Sequence, residues 1–441
     1  MNTNPNEICC NYTELLFQEA CSLIGDDRLA LKPNIVRTLE KTITKRGVVW
    51  LGQTCNLRCQ FCYFIDRVEE RTHPEHAFMS LEKASKICRT LVDYYGNNSI
   101  DIQGGEPTLY PHICDLVSYC KEIGLAPTLI TNALLLDNME LCKKIQSAGV
   151  SDFLVSVQGL GEVHDTLVGC PGAHRRQMKA LGNLRELGIS FRFNVVMSKP
   201  ALPQLPAIAK LAIKTGALVV NFITFNPFAD QASVDKRSII SVPRYSEVCP
   251  YLTEALDLLD GAGVEVNVRY FPFCMVEERH RKSVYNFQQL SYDPHEWDFA
   301  SWGWTGLQPQ RTAGGEPSPP IPLTAERSLL RYKEQFKKLA ANRFLRPILY
   351  RGYQLVTSGL SSIDSRDELY RKVAKLHAEI HCGYRYGRQC DLCTVRLICD
   401  GLHGDYADMF GTNEAQPLDR KVALNDPRHF LNKQIKRVIV S

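Results

Sequence analysis

No stretch of this 441-residue chain approaches the roughly 18 consecutive apolar residues that a membrane-spanning helix needs, so no membrane span is expected. A secretion signal is not expected either: Met1 to Ile24 carries polar and acidic residues in place of a basic stretch and an apolar run. Charge of one sign is also scarce. With 52 Lys and Arg against 48 Asp and Glu, the net charge is +4, too small and too evenly spread to point to nucleic acid or a membrane surface. There is no low-complexity tract and no repeat beyond a strand–helix unit. These absences leave a cytoplasmic globular protein as the expectation. At 44% hydrophobic residues it has enough apolar side chains for a large core.

Cysteine, by contrast, is plentiful, with 17 residues. Without a secretion signal a disulfide framework is not expected, because reducing compartments keep thiols free. Cys88, Cys114, Cys120 and Cys142 fall singly in helix-like segments and read as small buried apolar residues. Cys9, Cys10, Cys21, Cys170 and Cys249 match no ligand spacing. Two groups do: Cys55/Cys59/Cys62, and Cys382/Cys390/Cys393/Cys399.

Residues 1–46 read as a helical lead-in. From Gly47 to Tyr270, short apolar runs alternate with amphipathic segments. Strands are expected at 47–53, 99–103, 127–131, 152–157, 190–196, 218–222 and 265–270. Helices are expected between them, the first capped by Ser80 and Glu82, others ended by Gly124, Gly149, Gly188, Gly216 and Gly263. This alternation implies βαβ units and a parallel sheet, and its length suits a partial (β/α)6 barrel with chemistry at the strand C-termini. Residues 271–325, aromatic and then rich in Gly and Pro, read as an insertion or linker. Residues 326–441 read as a helical pair followed by a Cys-rich extension.

The first group lies in Gln53-Thr54-Cys55-Asn56-Leu57-Arg58-Cys59-Gln60-Phe61-Cys62, directly after the first strand. Such spacing lets three thiolates from one loop surround a compact inorganic core, and a [4Fe-4S] cluster held by three cysteines keeps one iron open. Structural zinc wants four closed ligands, and no His precedes His73 near the loop.

Cys-x3-Cys-x2-Cys in this position, with Phe61 before the last Cys, resembles the signature of the radical SAM superfamily. The resemblance extends over about 47–222. Gly104-Gly105-Glu106-Pro107 is similar to the family's GGEP motif, which implies that this backbone and the Glu106 carboxylate hold the methionine amino group of S-adenosylmethionine (SAM). Thr131-Asn132-Ala133 stands where relatives carry Thr-Asn-Gly, which places Asn132 among the cofactor-binding candidates. Ser156, with Gln158, Gly159, His164, Asp165 and Gly169, resembles a fourth-strand Ser-x-Asp-Gly…His-Asp segment, Gln158 replacing the usual Asp. Asn194 is a candidate for the ribose. The resemblance implies reductive SAM cleavage to a 5′-deoxyadenosyl radical that takes hydrogen from substrate, with no catalytic side chain assigned beyond the cluster.

The Cys390-x2-Cys393-x5-Cys399 core resembles the SPASM/twitch extension of radical SAM enzymes, which implies an auxiliary cluster with Cys382 as the fourth thiolate. Cys274 is an alternative ligand from across the fold. His403 stands where the family's next cysteine would be, and a structural zinc on Cys390, Cys393, Cys399 and His403 is the rival. The resemblance further implies an electron donor such as flavodoxin or ferredoxin and a small-molecule or peptide substrate. The expected activity is that of an oxidoreductase or maturase. A non-oxidising radical SAM enzyme with structural zinc, and a non-catalytic cluster-binding adaptor, are the alternatives.

Overall fold

A computed structural model describes residues 5–25, 35–226, 237–306, 315–317, 320, 323, 333–342, 344–358, 363–419 and 422–439. Eight parallel strands form one sheet in strictly sequential order: β2 Arg46–Trp50, β3 Ser99–Gln103, β4 Ala126–Thr131, β5 Asp152–Ser156, β6 Phe191–Met197, β7 Val219–Thr224, β8 Glu265–Arg269 and β9 Val284–Tyr285. A separate antiparallel pair joins β1, Ile35–Thr38, to the C-terminal β10, Lys436–Ile439. The segment after β9 comes round to the free edge of β2. There Thr44 N–H donates to the Ser291 carbonyl at 2.8 Å and Asp298 N–H to the Arg46 carbonyl at 2.7 Å.

The α/β class with a parallel barrel-type sheet and a C-terminal Cys-containing extension agrees with the sequence reading. The β8 strand falls where it was expected, and β9 was not anticipated. Residues 271–306, expected to be an insertion or linker, are folded. Phe287–Leu290 (α10) and Phe299–Gly306 (α11) are helical, and Tyr285, Phe287, Tyr292 and Phe299 form a buried cluster with Tyr370 and Tyr384. Aromatic density marked a second core here. Much of the Gly/Pro-rich part of that stretch lies outside the described residues.

The remaining helices are α1 Pro5–Ile24, α2 Ile65–Glu69, α3 Leu81–Tyr95, α4 Ile113–Glu122, α5 Met139–Ala148, α6 Gly161–Val168, α7 Ala173–Glu186, α8 Leu205–Thr215 and α9 Tyr245–Gly261. After the barrel come α12 Lys333–Ala341, α13 Leu345–Ser358, α14 Ile363–Ile380 and α15 Gly404–Phe410. Ser80 caps α3 by accepting from Lys83 N–H, and the five expected helix-ending glycines all carry positive φ.

Apolar strand residues facing the helices, such as Ile100, Ile102, Phe153, Phe193 and Phe222, are buried in one continuous core. The inner face differs between its two ends. Towards the strand N-termini it is filled by Arg46, Asp101, Thr128, Asp152, Arg192 and Asn267, all buried. Towards the C-termini, Trp50, Ile130, Ser156, Asn194, Val196 and Ile223 are only half-buried although their strands are flanked on both sides. The barrel is closed at its floor and open at its top, where such folds place their chemistry. Among the described residues, no helix is long and apolar enough to cross a membrane.

Candidate active site

The cysteine loop leaves β2 and crosses the open end, pinned from two sides. On one side, Gly105 N–H donates to the Gly52 carbonyl at 2.7 Å and Glu106 N–H to the Thr54 carbonyl at 2.9 Å. A Cβ on Gly104 would stand 2.3 Å from the Gly52 oxygen, and one on Gly105 2.2 Å from the Thr54 oxygen. The paired glycines are therefore required by backbone-to-backbone approach of the cysteine loop itself. On the other side, Arg58 N–H donates to the Val168 carbonyl at 3.0 Å and Gln60 N–H to the Leu167 carbonyl at 2.9 Å, at the end of α6. Asp165 secures that end by accepting from Gly172 N–H at 2.5 Å and His174 N–H at 2.7 Å, which caps α7.

Within the loop, Leu57 N–H points at Cys55 Sγ and Phe64 N–H at Cys62 Sγ, each at 3.4 Å. Cys55 and Cys59 pack with Phe61 and Cys170 around Leu57, Leu134, Val168 and Ala173. Burial, then the nearby Glu106 carboxylate and Cys62, push the Cys55 thiol up to about 12. Burial and the other two thiols hold Cys59 well above its ordinary value. Three half-buried sulfurs gathered on one loop, with Cys55 and Cys59 held above their ordinary values, become favourable thiolates around a cationic core, and an iron–sulfur cluster is one.

Glu106 is buried at the end of β3. Its Oε1 accepts from Thr108 N–H (2.9 Å), Thr108 Oγ1 (2.6 Å) and Thr131 Oγ1 (2.7 Å), and its Oε2 from Asn132 N–H (2.8 Å). Burial raises its affinity for a proton, and these hydrogen bonds lower it. Among the described residues no Lys, Arg or His forms an ion pair with it. A buried carboxylate with one oxygen only singly engaged and no countercharge fits a ligand ammonium, the group that SAM presents. Pro107 opens the short 3-10 turn Pro107–Leu109 that follows.

Ser156 and Asn194 are register partners on adjacent strands and line the open end together. Gln158 is not in the lumen in an acidic role. Its Nε2 donates to the Asn194 carbonyl at 3.1 Å and its Oε1 accepts from Val196 N–H at 2.9 Å, stitching the loop after β5 to β6. Aspartate has no donor for the first of these bonds, which accounts for the amide here. Two residues escaped the sequence reading. Asn56, inside the cysteine motif, accepts from Asn132 Nδ2 at 2.8 Å. Gln177, fully buried on α7, donates to the carbonyls of Asn132 (3.0 Å) and Ser156 (2.9 Å), tying the ends of β4 and β5. A glutamine on the apolar face of an amphipathic helix was the available signal.

At the C-terminal group, Cys399 is buried in the main core, and Cys274, Cys390 and Cys393 pack against the same core. Leu418 N–H points at Cys393 Sγ and Gly401 N–H at Cys399 Sγ, each at 3.4 Å. Burial, and then the Cys390 and Cys393 thiols, push the Cys274 thiol up; Cys274 in turn acts on Cys399. Cys382 packs instead against the second core of Tyr285, Phe287, Tyr370 and Tyr384. Burial, Asp400 and Asp405 raise it to about 12. The reason is local. Arg385 and Leu402 exchange two backbone hydrogen bonds, and Gly404 N–H donates to the Cys382 carbonyl at 2.9 Å, so Cys382 lies beside Gly404 and not beside Cys399. The structure thus gathers Cys390, Cys393 and Cys399 with Cys274, the alternative ligand, and sets Cys382 apart. His403 caps α15, its Nδ1 accepting from Asp405 N–H at 3.3 Å.

An α/β barrel thus carries three gathered thiols and a buried carboxylate without a countercharge at its open end, among the described residues. Residues 51–204 match the Radical SAM superfamily model, and an extension lies C-terminal to the matched domain. It is 29% identical over 218 residues to the AdoMet-dependent heme synthase of Oleidesulfovibrio alaskensis, covering 49% of this chain and 54% of that protein. It is 31% identical over 165 residues to the PqqA peptide cyclase of Bradyrhizobium diazoefficiens, covering 37% and 42%. Streptococcus suis SuiB bound to S-adenosylmethionine superposes with a TM-score of 0.42 at 20% identity, covering 52% of this chain and 50% of that one. The chain spans about half the length of the curated relatives it matches. The family implies a [4Fe-4S] cluster and SAM as cofactors.

Proposed function

We propose that Cys55, Cys59 and Cys62 hold a [4Fe-4S] cluster with one iron open for SAM, and that Gly104, Gly105, Glu106, Pro107, Asn132, Ser156 and Asn194 form the SAM pocket. The observation that carries this reading is the Glu106 carboxylate, buried without a countercharge among the described residues, near the loop that gathers the three thiols. When bound, the cluster and SAM supply one-electron cleavage of the sulfonium bond and a 5′-deoxyadenosyl radical able to take hydrogen from a substrate. The chain's own residues bind and orient. Glu106 Oε2 accepts an ammonium N–H, and the paired glycines bring the loop backbone into position. Trp50, Ile130, Val196 and Ile223 wall the lumen and keep water from the radical.

At the extension we propose an auxiliary [4Fe-4S] cluster on Cys274, Cys390, Cys393 and Cys399, a four-sulfur set suited to electron transfer. The net reaction is proposed to be an oxidation or maturation of a peptide or small molecule, fed by a flavodoxin- or ferredoxin-like donor. A peptide substrate appears in the name of one relative and haem in that of another.

The test is anaerobic reconstitution, reduction with dithionite and assay for 5′-deoxyadenosine. Wild type is expected to form it, and Cys59→Ala to lose it while keeping the iron of the second site. Glu106→Gln keeps an acceptor but loses the charge. A charged hydrogen bond is worth about 1.5–3 kcal/mol, so SAM affinity should fall about 10- to 100-fold. Wild-type protein that binds iron at the first site yet neither binds nor cleaves SAM would overturn the reading.

A further inference from the structure

One residue connects the Glu106 carboxylate to the cysteine loop. Asn132 directly follows β4 and bonds to both. Its backbone N–H donates to Glu106 Oε2 at 2.8 Å, and its Nδ2 donates to Asn56 Oδ1 at 2.8 Å. Its own Oδ1 accepts from Leu134 N–H at 3.0 Å, which fixes the sense of the amide. Its carbonyl is held from behind by Gln177 Nε2 at 3.0 Å. Asn132 is therefore held at four polar atoms, its N–H, Nδ2, Oδ1 and carbonyl oxygen. Asn56 directly follows Cys55, whose sulfur faces Leu57 N–H one residue further on.

The connection is specific because the two ends have different duties. Among the described residues Glu106 Oε2 accepts only the Asn132 N–H, so it is the oxygen with room for a ligand donor. At the other end, Asn56 directly precedes Leu57, whose N–H faces the Cys55 sulfur at 3.4 Å. The bond between the two asparagine side chains lies between these ends.

Resting on the radical SAM reading, we propose that Asn56 and Asn132 are positioning residues that couple recognition of the SAM amino group at Glu106 to the placement of Cys55, and through it to the open corner of the cluster. An ammonium drawn to Oε2 competes with the Asn132 N–H and shifts Asn132, and the shift arrives at the residue next to Cys55. Neither asparagine needs to touch the reacting atoms.

The test uses full-length reconstituted protein and the electron paramagnetic resonance signal of the dithionite-reduced first cluster, titrated with SAM. Asn56→Leu and Asn132→Leu each delete one partner of the amide pair at similar volume, and Asn132→Leu keeps the backbone N–H to Glu106. Iron and sulfide counts identify molecules with a filled first site, and only their signal is compared. Asn56→Leu should need about 5- to 10-fold more SAM for the half-maximal spectral change, the effect of one lost neutral hydrogen bond, and Asn132→Leu, which also loses the acceptor for Leu134 N–H, at least as much more. The double variant should need no more than the weaker-binding single, because both remove the same bond. Singles that respond like wild type, or a double variant whose effect is the product of the two, would overturn the coupling. A wild-type cluster whose signal ignores SAM would instead overturn the SAM site itself.

Discussion

The ammonium of Lys436, on the last strand of the chain, lies 3.1 Å from the Asp293 carboxylate under the barrel floor, with both side chains fully buried. Lys436 also pairs with Glu265, and Arg269 pairs with Asp293 at 2.9 Å and with Glu296. Glu265, Asp293 and His295 gather close enough to hold a metal ion, but the Lys436 ammonium already supplies the cation there. The closed end of the barrel is thus built by the C-terminal strand, far in sequence from the strands it seals.

Lys436→Met should accordingly destabilise the protein, leaving buried carboxylates short of one positive charge. Removal of one member of a buried ion pair costs about 3–5 kcal/mol. Chemical denaturation of the variant should show a loss of that size, and pairing it with Glu265→Gln should restore part of it. A loss below about 1 kcal/mol in the single variant would mean that the floor is held by other groups.

Acid should weaken the fold through buried histidines. Burial, then the neighbouring His174, depress His164 to about 3; burial, then His381, depress His377 to about 3. Both lie below the unfolded value of about 6.5, so both rings stay neutral in the folded state and take up a proton on unfolding. Their contribution is complete above pH 6.5 and is lost as pH falls towards 3, at up to about 1.4 kcal/mol per pH unit for each ring. The thermal midpoint should therefore drop between pH 7.5 and 5.5. His164→Asn, which can keep an acceptor for Gln158 N–H, should flatten that slope, and an unchanged slope would remove His164 from the account.

Strand and helix placement was legible because the period of the apolar residues and the helix-ending glycines act locally. The Ser99–Gln103 strand was expected with these same bounds, and the others shifted by at most three residues at an end. The first thiol group was legible because a single loop carries it. What could not be read depends on chain crossings. Nothing near Lys436 announces that it neutralises Glu265 and Asp293. Nothing between Cys382 and Cys390 announces the Arg385–Leu402 pairing that turns Cys382 away. The aromatic stretch 283–304 read as an insertion or linker, and its return to β2 explains why it is ordered instead.

Gly105→Ala should disturb the first thiol loop more than its small size implies. The added methyl would stand 2.2 Å from the Thr54 oxygen, a backbone atom that cannot rotate away. Overpacking of this kind costs about 1–3 kcal/mol, and relief requires the loop to leave the Glu106 N–H. The variant should retain the iron of the second site and lose most of the first-site iron on gel filtration. Equal iron at both sites would show that the loop relaxes without losing its grip.

The second site offers a direct choice between two cysteines. Cys274 shares a core with Cys390, Cys393 and Cys399, whereas Cys382 stands among aromatic residues on another core. A serine in place of a true ligand removes a thiolate from the cluster, while a serine at Cys382 changes only a packed side chain. Cys274→Ser should therefore lose about four irons and the matching sulfide per chain, and Cys382→Ser should keep them. The count is read on anaerobically purified protein, with zinc measured in the same samples. Zinc in near-unit amount, retained in wild type and lost in Cys274→Ser, would identify a closed four-sulfur structural site in place of an electron carrier. Iron lost from Cys382→Ser and kept in Cys274→Ser would return the fourth ligand to the position the spacing alone favoured.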